Sequence, residues 1–364
     1  MNLLFLVSNR HFRGGSYSVM KFAQALSYKG HKVFLVCTHN PPFEDPNELK
    51  FIKRPSIPLF FKGAGLLDKI FCHFYDYWIL NSLIIKENID CILGVQIDDT
   101  VRAVKLARRN DCKVANFVFE SPEWLKHIWK DFKFGKRFEK EWNSFKKALY
   151  KSDTIIAISY STKKYVEKWL SQEVKCVALP GIDQEIADAV PGQNKENQII
   201  FVGALEERKN IGDVIFALSK IKNRPKFVIC GEGNLKPTLT KLARKFNVDC
   251  EFKGKVNEYA KWKEIRKSLF MVFPSSFEGF GMPPAEALYA KIPCIASDLE
   301  ILRENYGNKL EYFPVHNIDT LAEKIRFLLE NPQYRVQRGK EGYSYIKERF
   351  SWEKSAEEIE KCVK

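Results

Sequence analysis

The chain has 364 residues, enough for two domains that each bury a core, and its 45% apolar and 29% charged content is that of an ordinary folded protein. Low-complexity segments and repeats are absent, which excludes fibrous and disordered classes. The net charge of +14 favours anionic partners without choosing among nucleic acid, phosphorylated substrates and an acidic membrane face, and such an excess also arises as a compositional habit of an organism.

In chain order, residues 3–7 read as a first strand, too short and too soon followed by Ser8-Asn9-Arg10 to be a signal peptide. Gly14-Gly15-Ser16 reads as a loop, and Val19, Phe22, Ala23 and Leu26 then recur at helical spacing until Gly30. Residues 33–37 are the next strand, completing a βαβ opening. Further strands are expected at 90–95, 113–119 and 154–159, with a helix from Ser161 and an extended stretch at 177–180. Residues 184–197 lose the apolar pattern, hold Pro191 and Gly192, and read as a linker between domains. A second block follows, with strands at 198–203, 226–230, 248–252, 269–273 and 292–296. Helices are expected at 213–221, to about 246, at 285–290 and from 351 to the end. Strands alternating with helices in both halves imply an α/β protein of two doubly wound, Rossmann-like domains. No stretch approaches the ~18 continuous apolar residues of a membrane span. The nine cysteines are scattered without a Cys-x-x-Cys pair and read as free thiols of a reducing cytoplasm.

The chemistry concentrates at 273–298, where Glu278 and Glu286 stand with seven residues between them, among them Gly279, Gly281, Pro283 and Pro284. Proline is tolerated in a helix's first turn. Glu278 is therefore expected on the loop at a strand's carboxyl end and Glu286 on the following helix, around the crevice where open α/β sheets bind ligands. A strand–loop–helix whose Glu residues simply favour the positive helix end would look similar. Arg208-Lys209, in the loop after 198–203, suit a diphosphate clamp, although adjacent basic pairs are often solvated surface. Gly231-Glu232-Gly233 has Lys236 where a dinucleotide fingerprint has its third glycine, so a nicotinamide site is poorly supported. The two Glu residues could instead be a hydrolase's acid–base pair, but nothing in such a pair calls for a neighbouring diphosphate clamp. Between 127 and 151, Phe138, Trp142, Phe145 and Leu149 alternate with Lys136, Arg137, Lys140, Lys146, Lys147 and Lys151. This is either a helix packed on its own sheet or a basic amphipathic surface for acidic lipid.

Ser275, Glu278, Gly279, Phe280, Gly281, Met282, Pro283 and Glu286 resemble, place by place, the Glu-x7-Glu signature of the family-four retaining glycosyltransferases. Gly30-His31-Lys32-Val33, residues 153–159, Pro180-Gly181-Ile182-Asp183 and the strand–Gly203–loop–Arg208-Lys209 passage resemble other parts of that family. The resemblance implies the GT-B fold, with two such domains facing each other across a cleft. Residues 1–183 would form the acceptor-side domain, 184–197 the linker and 198–350 the nucleotide-sugar domain, with the helix 351–364 returning to the first. It implies a retaining transferase moving a sugar from a nucleotide-sugar donor to an acceptor hydroxyl, in assembly of cell-surface polysaccharide or glycolipid. Glu278, Arg208, Lys209 and Glu120 would carry catalysis. Donor contacts would come from Gly14, Gly15, Gly203, Arg208, Lys209, Gly231, Lys255, Val256, Glu278, Gly279, Phe280, Gly281, Met282 and Glu286, the last accepting from ribose hydroxyls. Two departures stand out. Ala204 occupies the place where many relatives have an arginine, which leaves that charge to Arg208. Glu120 stands where many have a histidine, as a sugar or acceptor contact or merely a strand cap. No metal or cofactor is expected, and no nucleic acid. The partners would be the donor, a glycan or lipid-linked acceptor and an acidic membrane face, with the protein cytoplasmic or peripheral on the inner face of the membrane. A nucleotide-sugar hydrolase or epimerase of the same fold, and a non-catalytic basic binding protein, are the alternatives.

Overall fold

A computed structural model describes residues 1–7, 14–37, 49–53, 74–95, 97–120 and 135–364. The first half runs β1 (Asn2–Val7), α1 (Gly14–Tyr28), β2 (Lys32–Cys37), β3 (Leu49–Lys53), a π-helical turn (Asp76–Leu80) leading into α2 (Asn81–Lys86), β4 (Cys91–Gly94), α3 (Ile97–Asn110), β5 (Lys113–Val118), α4 (Gly135–Tyr150), β6 (Thr154–Ala157), α5 (Tyr160–Leu170) and β7 (Cys176–Val177). The second half follows as α6 (Gln184–Ala189), β8 (Gln198–Val202), α7 (Ile211–Ser219), β9 (Lys226–Cys230), α8 (Lys236–Lys245), β10 (Cys250–Gly254), α9 (Glu258–Lys267), β11 (Met271–Phe273), α10 (Met282–Tyr289), β12 (Cys294–Ser297), α11 (Glu300–Tyr306), β13 (Glu311–Phe313), α12 (Ile318–Glu330), α13 (Pro332–Arg349) and α14 (Trp352–Val363). Two compact units result, Met1–Gly181 with Trp352–Lys364, and Ile182–Ser351.

In the first unit a parallel sheet is ordered β3-β2-β1-β4-β5-β6-β7. Its central strand β1 is apolar without alternation because both faces are covered. Leu3, Phe5 and Val7 pack with Val19, Phe22 and Leu26 of α1 and with Ala356, Ile359 and Val363 of α14. Leu4 and Leu6 pack on the other face with Ile84 of α2 and Val104 and Leu106 of α3. Each such fully buried aliphatic side chain contributes about 1.5–3 kcal/mol of transfer free energy, so α14 is anchored by its apolar stripe. Trp352 meets Phe22 edge-on at 5.4 Å. The aromatic stripe of α4 is core: Trp142, Phe145 and Leu149 are buried with Val118 and Ile155, while the side chain of Phe138 lies outside the described residues.

The cysteines depart from expectation at one place. Cys176 of β7 and Cys362 of α14 are joined as a disulfide, Cα atoms 5.9 Å apart, where nine free thiols were expected. Their separation of 186 residues hides the pairing from any spacing argument. Only the return of α14 to the sheet brings the two together.

The second unit is ordered β10-β9-β8-β11-β12-β13, again all parallel. The chain builds outward from β8 through β9 to β10, then crosses back to β11 on the other side of β8. The order therefore reverses between β8 and β11, the place where doubly wound sheets bind ligands beyond the strands' carboxyl ends. The stretch 184–197, expected as a plain linker, begins with α6 and is tied to this unit. Arg266 Nη2 donates to the Ala187 carbonyl at 2.7 Å and Tyr289 Oη to Asp188 Oδ2 at 3.0 Å. Lys195 Nζ caps the end of α9, donating to the carbonyls of Arg266 and Ser268 at 2.8 Å each. A six-residue helix that buries one side chain, Ala187, leaves no periodic signal to read. Among the described residues no helix is long and apolar enough to cross a membrane.

Candidate active site at the strand-order reversal

The loops after β8 and β11, the two strands flanking the reversal, carry the charged residues. After β8 the chain passes Gly203 and makes a 3-10 turn at Glu207–Lys209, which Asn210 ends in the left-handed region (φ 46°). Asn210 Nδ2 donates to the Pro274 carbonyl at 3.0 Å, and the Ser276 amide to the Arg208 carbonyl at 2.8 Å. These bonds stitch the two loops together. After β11 the loop ends at Gly281 (φ 89°), which opens α10; a Cβ there would lie 2.6 Å from Leu302 Cδ2. Pro283 and Pro284 occupy the first turn of α10, so the helix starts at Met282, three residues earlier than expected.

This stitching brings three predicted residues into one cluster. Lys209 Nζ donates to Glu278 Oε1, and Arg208 Nη1 lies 3.4 Å from the same oxygen. Arg208 is further held by the Phe277 carbonyl at 3.0 Å and by Glu206 Oε2 at 3.3 Å from its Nε. Lys209 is buried, with the Phe273 ring 4.9 Å from its Nζ. Burial works against the Glu278 carboxylate, but Lys209 and Arg208 outweigh it and hold the group below the usual carboxylate range. Burial pulls the Lys209 ammonium below its ordinary value, and Glu278 opposes that only in part. The cluster holds two cations, Arg208 and Lys209, balanced by two carboxylates, Glu278 and Glu206.

Gly231 and Gly203 meet by backbone packing. A Cβ on Gly231 would sit 1.8 Å from the Gly203 carbonyl oxygen, so the β9 loop lies directly against the β8 loop. The Gly231 amide donates to the Gly254 carbonyl at 2.9 Å, which places exposed Lys255 and half-buried Val256 at the carboxyl end of the next strand. Gly231→Ala is expected to lower stability by about 1–3 kcal/mol, since backbone must move to admit the methyl. A thermal melt indistinguishable from that of the unsubstituted protein would contradict this packing.

Gly279 is half-buried and Phe280 buried. The carbonyls of Phe280 and Gly281 accept from Asn305 Nδ2 and the Tyr306 hydroxyl of α11, which fixes the peptide planes of the 280–282 turn. Glu286, in the second turn of α10, is buried and accepts at Oε1 from Lys261 Nζ of α9, 2.6 Å away. Lys261 was not anticipated. It is one of 59 basic residues, and only its position after the capping residue Asn257 could have drawn notice.

Three predicted residues belong to the first unit. Gly14 and Gly15, expected in a loop, are the first residues of α1, and Gly15 faces the Phe119 ring, its Cβ position 3.3 Å from Cδ1. Glu120 is half-buried just beyond β5. Residues 121–134 lie outside the described residues.

Comparison with known proteins agrees with this architecture. The family described as Glycosyltransferase Family 4 matches residues 12–185, and Glycosyl transferases group 1 matches residues 183–345. An uncharacterized glycosyltransferase of Methanocaldococcus jannaschii is 31% identical over 58% of this chain and 59% of its own length. An alpha-1,4-N-acetyl-D-galactosaminyltransferase of Campylobacter jejuni, named for a diNAcBac-PP-undecaprenol substrate, is 22% identical over 93% of this chain and 91% of its own. The matches to the first three curated relatives span 59%, 46% and 44% of those relatives' lengths. The crystal structure of HepE from Anabaena in complex with UDP-glucose superposes with a TM-score of 0.79, at 12% identity, over 100% of this chain and 99% of that one. Two glycosyltransferase family models together match residues 12–345, and the two-domain fold is shared with HepE, which together support a GT-B glycosyltransferase.

Proposed function

We propose that this protein is a retaining glycosyltransferase that moves a sugar from a nucleotide-sugar donor to an acceptor hydroxyl in glycan or glycolipid assembly. The observation that carries the reading is the Arg208–Lys209–Glu278 cluster at the strand-order reversal of the second unit. Arg208 and Lys209 offer N–H donors and fixed positive charge to a donor diphosphate, with Glu278 and Glu206 holding the two cations in place. In this reading Arg208 and Lys209 bind the diphosphate, and the N–H groups of Phe280, Gly281 and Met282, with Gly279 giving close approach, stabilise it as it departs. Glu286 accepts from the ribose, while Gly203, Gly231, Lys255 and Val256 line the nucleoside side. Glu278 orients the two cations and borders the transferred sugar. Gly14 and Gly15 are assigned to the donor, and Glu120 to the sugar or acceptor. The bond from the sugar's anomeric carbon to the diphosphate oxygen breaks, the acceptor oxygen bonds to that carbon on the same face, and the leaving phosphate oxygen takes the acceptor proton. The charge that develops falls on oxygens which the clamp neutralises, so the proposal assigns no step to a metal or cofactor.

HepE binds UDP-glucose and the Campylobacter relative is named for an undecaprenol-linked substrate, which favours a UDP-sugar donor and a lipid-linked acceptor. A lipid-linked acceptor suits a cytoplasmic protein at an acidic membrane face. The exposed lysines Lys140 and Lys147 on α4 and Lys151 just after it suit that contact, since the helix's apolar stripe is already buried.

A melting-temperature panel of nucleoside diphosphates and nucleotide sugars tests the reading. Selective stabilisation by one base is expected, worth about 2.7 kcal/mol at a hundred times its dissociation constant. Salt-sensitive binding of DNA or RNA, with no response to any nucleotide, would point to a nucleic-acid-binding protein instead.

A further inference from the structure

Lys261 lies largely covered between two carboxylates. Its Nζ lies 2.6 Å from Glu286 Oε1 and 2.6 Å from Glu258 Oε2, with the Lys261 side chain 12% and the Glu286 side chain 11% exposed. The residue stands in α9, which begins just after the Lys255-Val256 loop, and Glu286 stands in α10. Trp262, next to Lys261, packs edge-on against Tyr289 at 6.0 Å and holds the same two helices together. The bridge is therefore short, largely covered and mechanically fixed. It ties the loop on the nucleoside side to the acid on the ribose side.

We infer that Lys261 is the positioning residue for donor ribose recognition: it binds Oε1 of Glu286, keeps that carboxylate ionised, and presents its second oxygen to accept from a ribose hydroxyl. The inference rests on the reading of Glu286 as the ribose acceptor. Its physical basis is the cost of a buried carboxylate. A carboxyl removed from water protonates unless a cation compensates it, and a protonated one would no longer offer two accepting oxygens. Burial pushes Glu286 upward, and Glu258 of α9 and Asp183, which precedes α6, push the same way. Lys261 opposes them only in part, so the carboxyl stays above its ordinary value, and Tyr306 of α11 also feels the Glu286 charge. Lys261, facing both Glu286 and Glu258, is itself held firmly charged despite its burial.

The experiment measures dissociation constants of UDP, GDP and ADP, each paired with its 2′-deoxy counterpart, on the full chain by calorimetry. The unsubstituted protein should bind its preferred diphosphate at least about tenfold more tightly than the deoxy form, the value of one hydrogen bond to a charged group. In Lys261→Met that ratio should collapse to about threefold or less at pH 6.5 and reopen as pH rises toward 9 and Glu286 ionises. Lys261→Arg, which keeps the charge, should retain most of the ratio. A lysine that merely braces the fold would weaken both members of each pair equally, and an unchanged ratio in Lys261→Met overturns the inference. Should that variant not fold, Lys261→Gln reads the same ratio. If none of the three diphosphates binds the unsubstituted protein, the donor-site reading itself fails. If one binds without preference for ribose, the diphosphate clamp stands and the roles of Glu286 and Lys261 both fall.

Discussion

Replacing Arg208 by alanine is expected to lower sugar transfer by about two to three orders of magnitude with little change in melting temperature. The guanidinium is partly exposed; of its carboxylate partners, Glu206 keeps access to water when it is removed and Glu278 keeps Lys209. What the change removes is a fixed charge aimed at the crevice, which is worth most where charge develops in the transition state. Lys209→Ala should cost a similar factor in transfer but behave differently as a protein. It leaves Glu278 buried without its nearest cation, a loss of about 3–5 kcal/mol. Against a total stability of about 5–15 kcal/mol, that is a large fraction. The pair of variants thus separates catalysis from folding. Initial rates with a nucleotide sugar, taken beside thermal melts, check both parts, and full activity in both variants would show that the clamp is misassigned.

Glu278 produces the second large effect, and its sign with pH can be worked out. In Glu278→Ala, turnover should fall by about two orders of magnitude or more, while nucleoside diphosphate affinity changes by less than about tenfold. Removing a carboxylate from beside two cations does not weaken their hold on an anion. The opposite pattern, lost affinity with preserved turnover, would count against a place beside the transferred sugar. For stability, Lys209 and Arg208 hold the Glu278 carboxyl below its unfolded value of about 4.3. A depressed carboxyl contributes stability above that unfolded value and loses it as pH falls through the folded one. The melting-temperature advantage of the unsubstituted protein over Glu278→Gln should therefore be full at pH 7 and shrink below about pH 4.

How much of this was legible beforehand follows from the physics of each element. Residues 226–230 were placed to the residue as a strand because a central parallel strand is apolar throughout, and Gly231 marks its end. The loop from Ser275 to Met282 was legible because glycine and proline at a strand-to-helix turn admit few backbone solutions. Strand β3 was missed: at the sheet edge it alternates only partial burial and keeps two exposed lysines, Lys50 and Lys53. Strand β13 has three residues and α6 buries one side chain, too little pattern for either to register. The contacts that matter most at the site were the least accessible. The pairs Lys209–Glu278 and Lys261–Glu286 are separated by 69 and 25 residues, and in sequence each is one charge among many. The positions of Arg208, Lys209, Glu278 and Glu286 were foreseen from motif spacing, whereas their pairing needed the strand order. The cysteines show the same limit, since scattered spacing gave no hint that Cys176 meets Cys362.

The central claim is transfer with retention, and the anomeric configuration of the product tests it most directly. Incubation of the protein with UDP-glucose or the nucleotide sugar that stabilises it best, and with an acceptor alcohol, should yield a glycoside. Proton NMR of its anomeric signal before mutarotation should show the configuration of the donor. An inverted glycoside, or free sugar as the sole product when acceptor is in excess, would contradict the account.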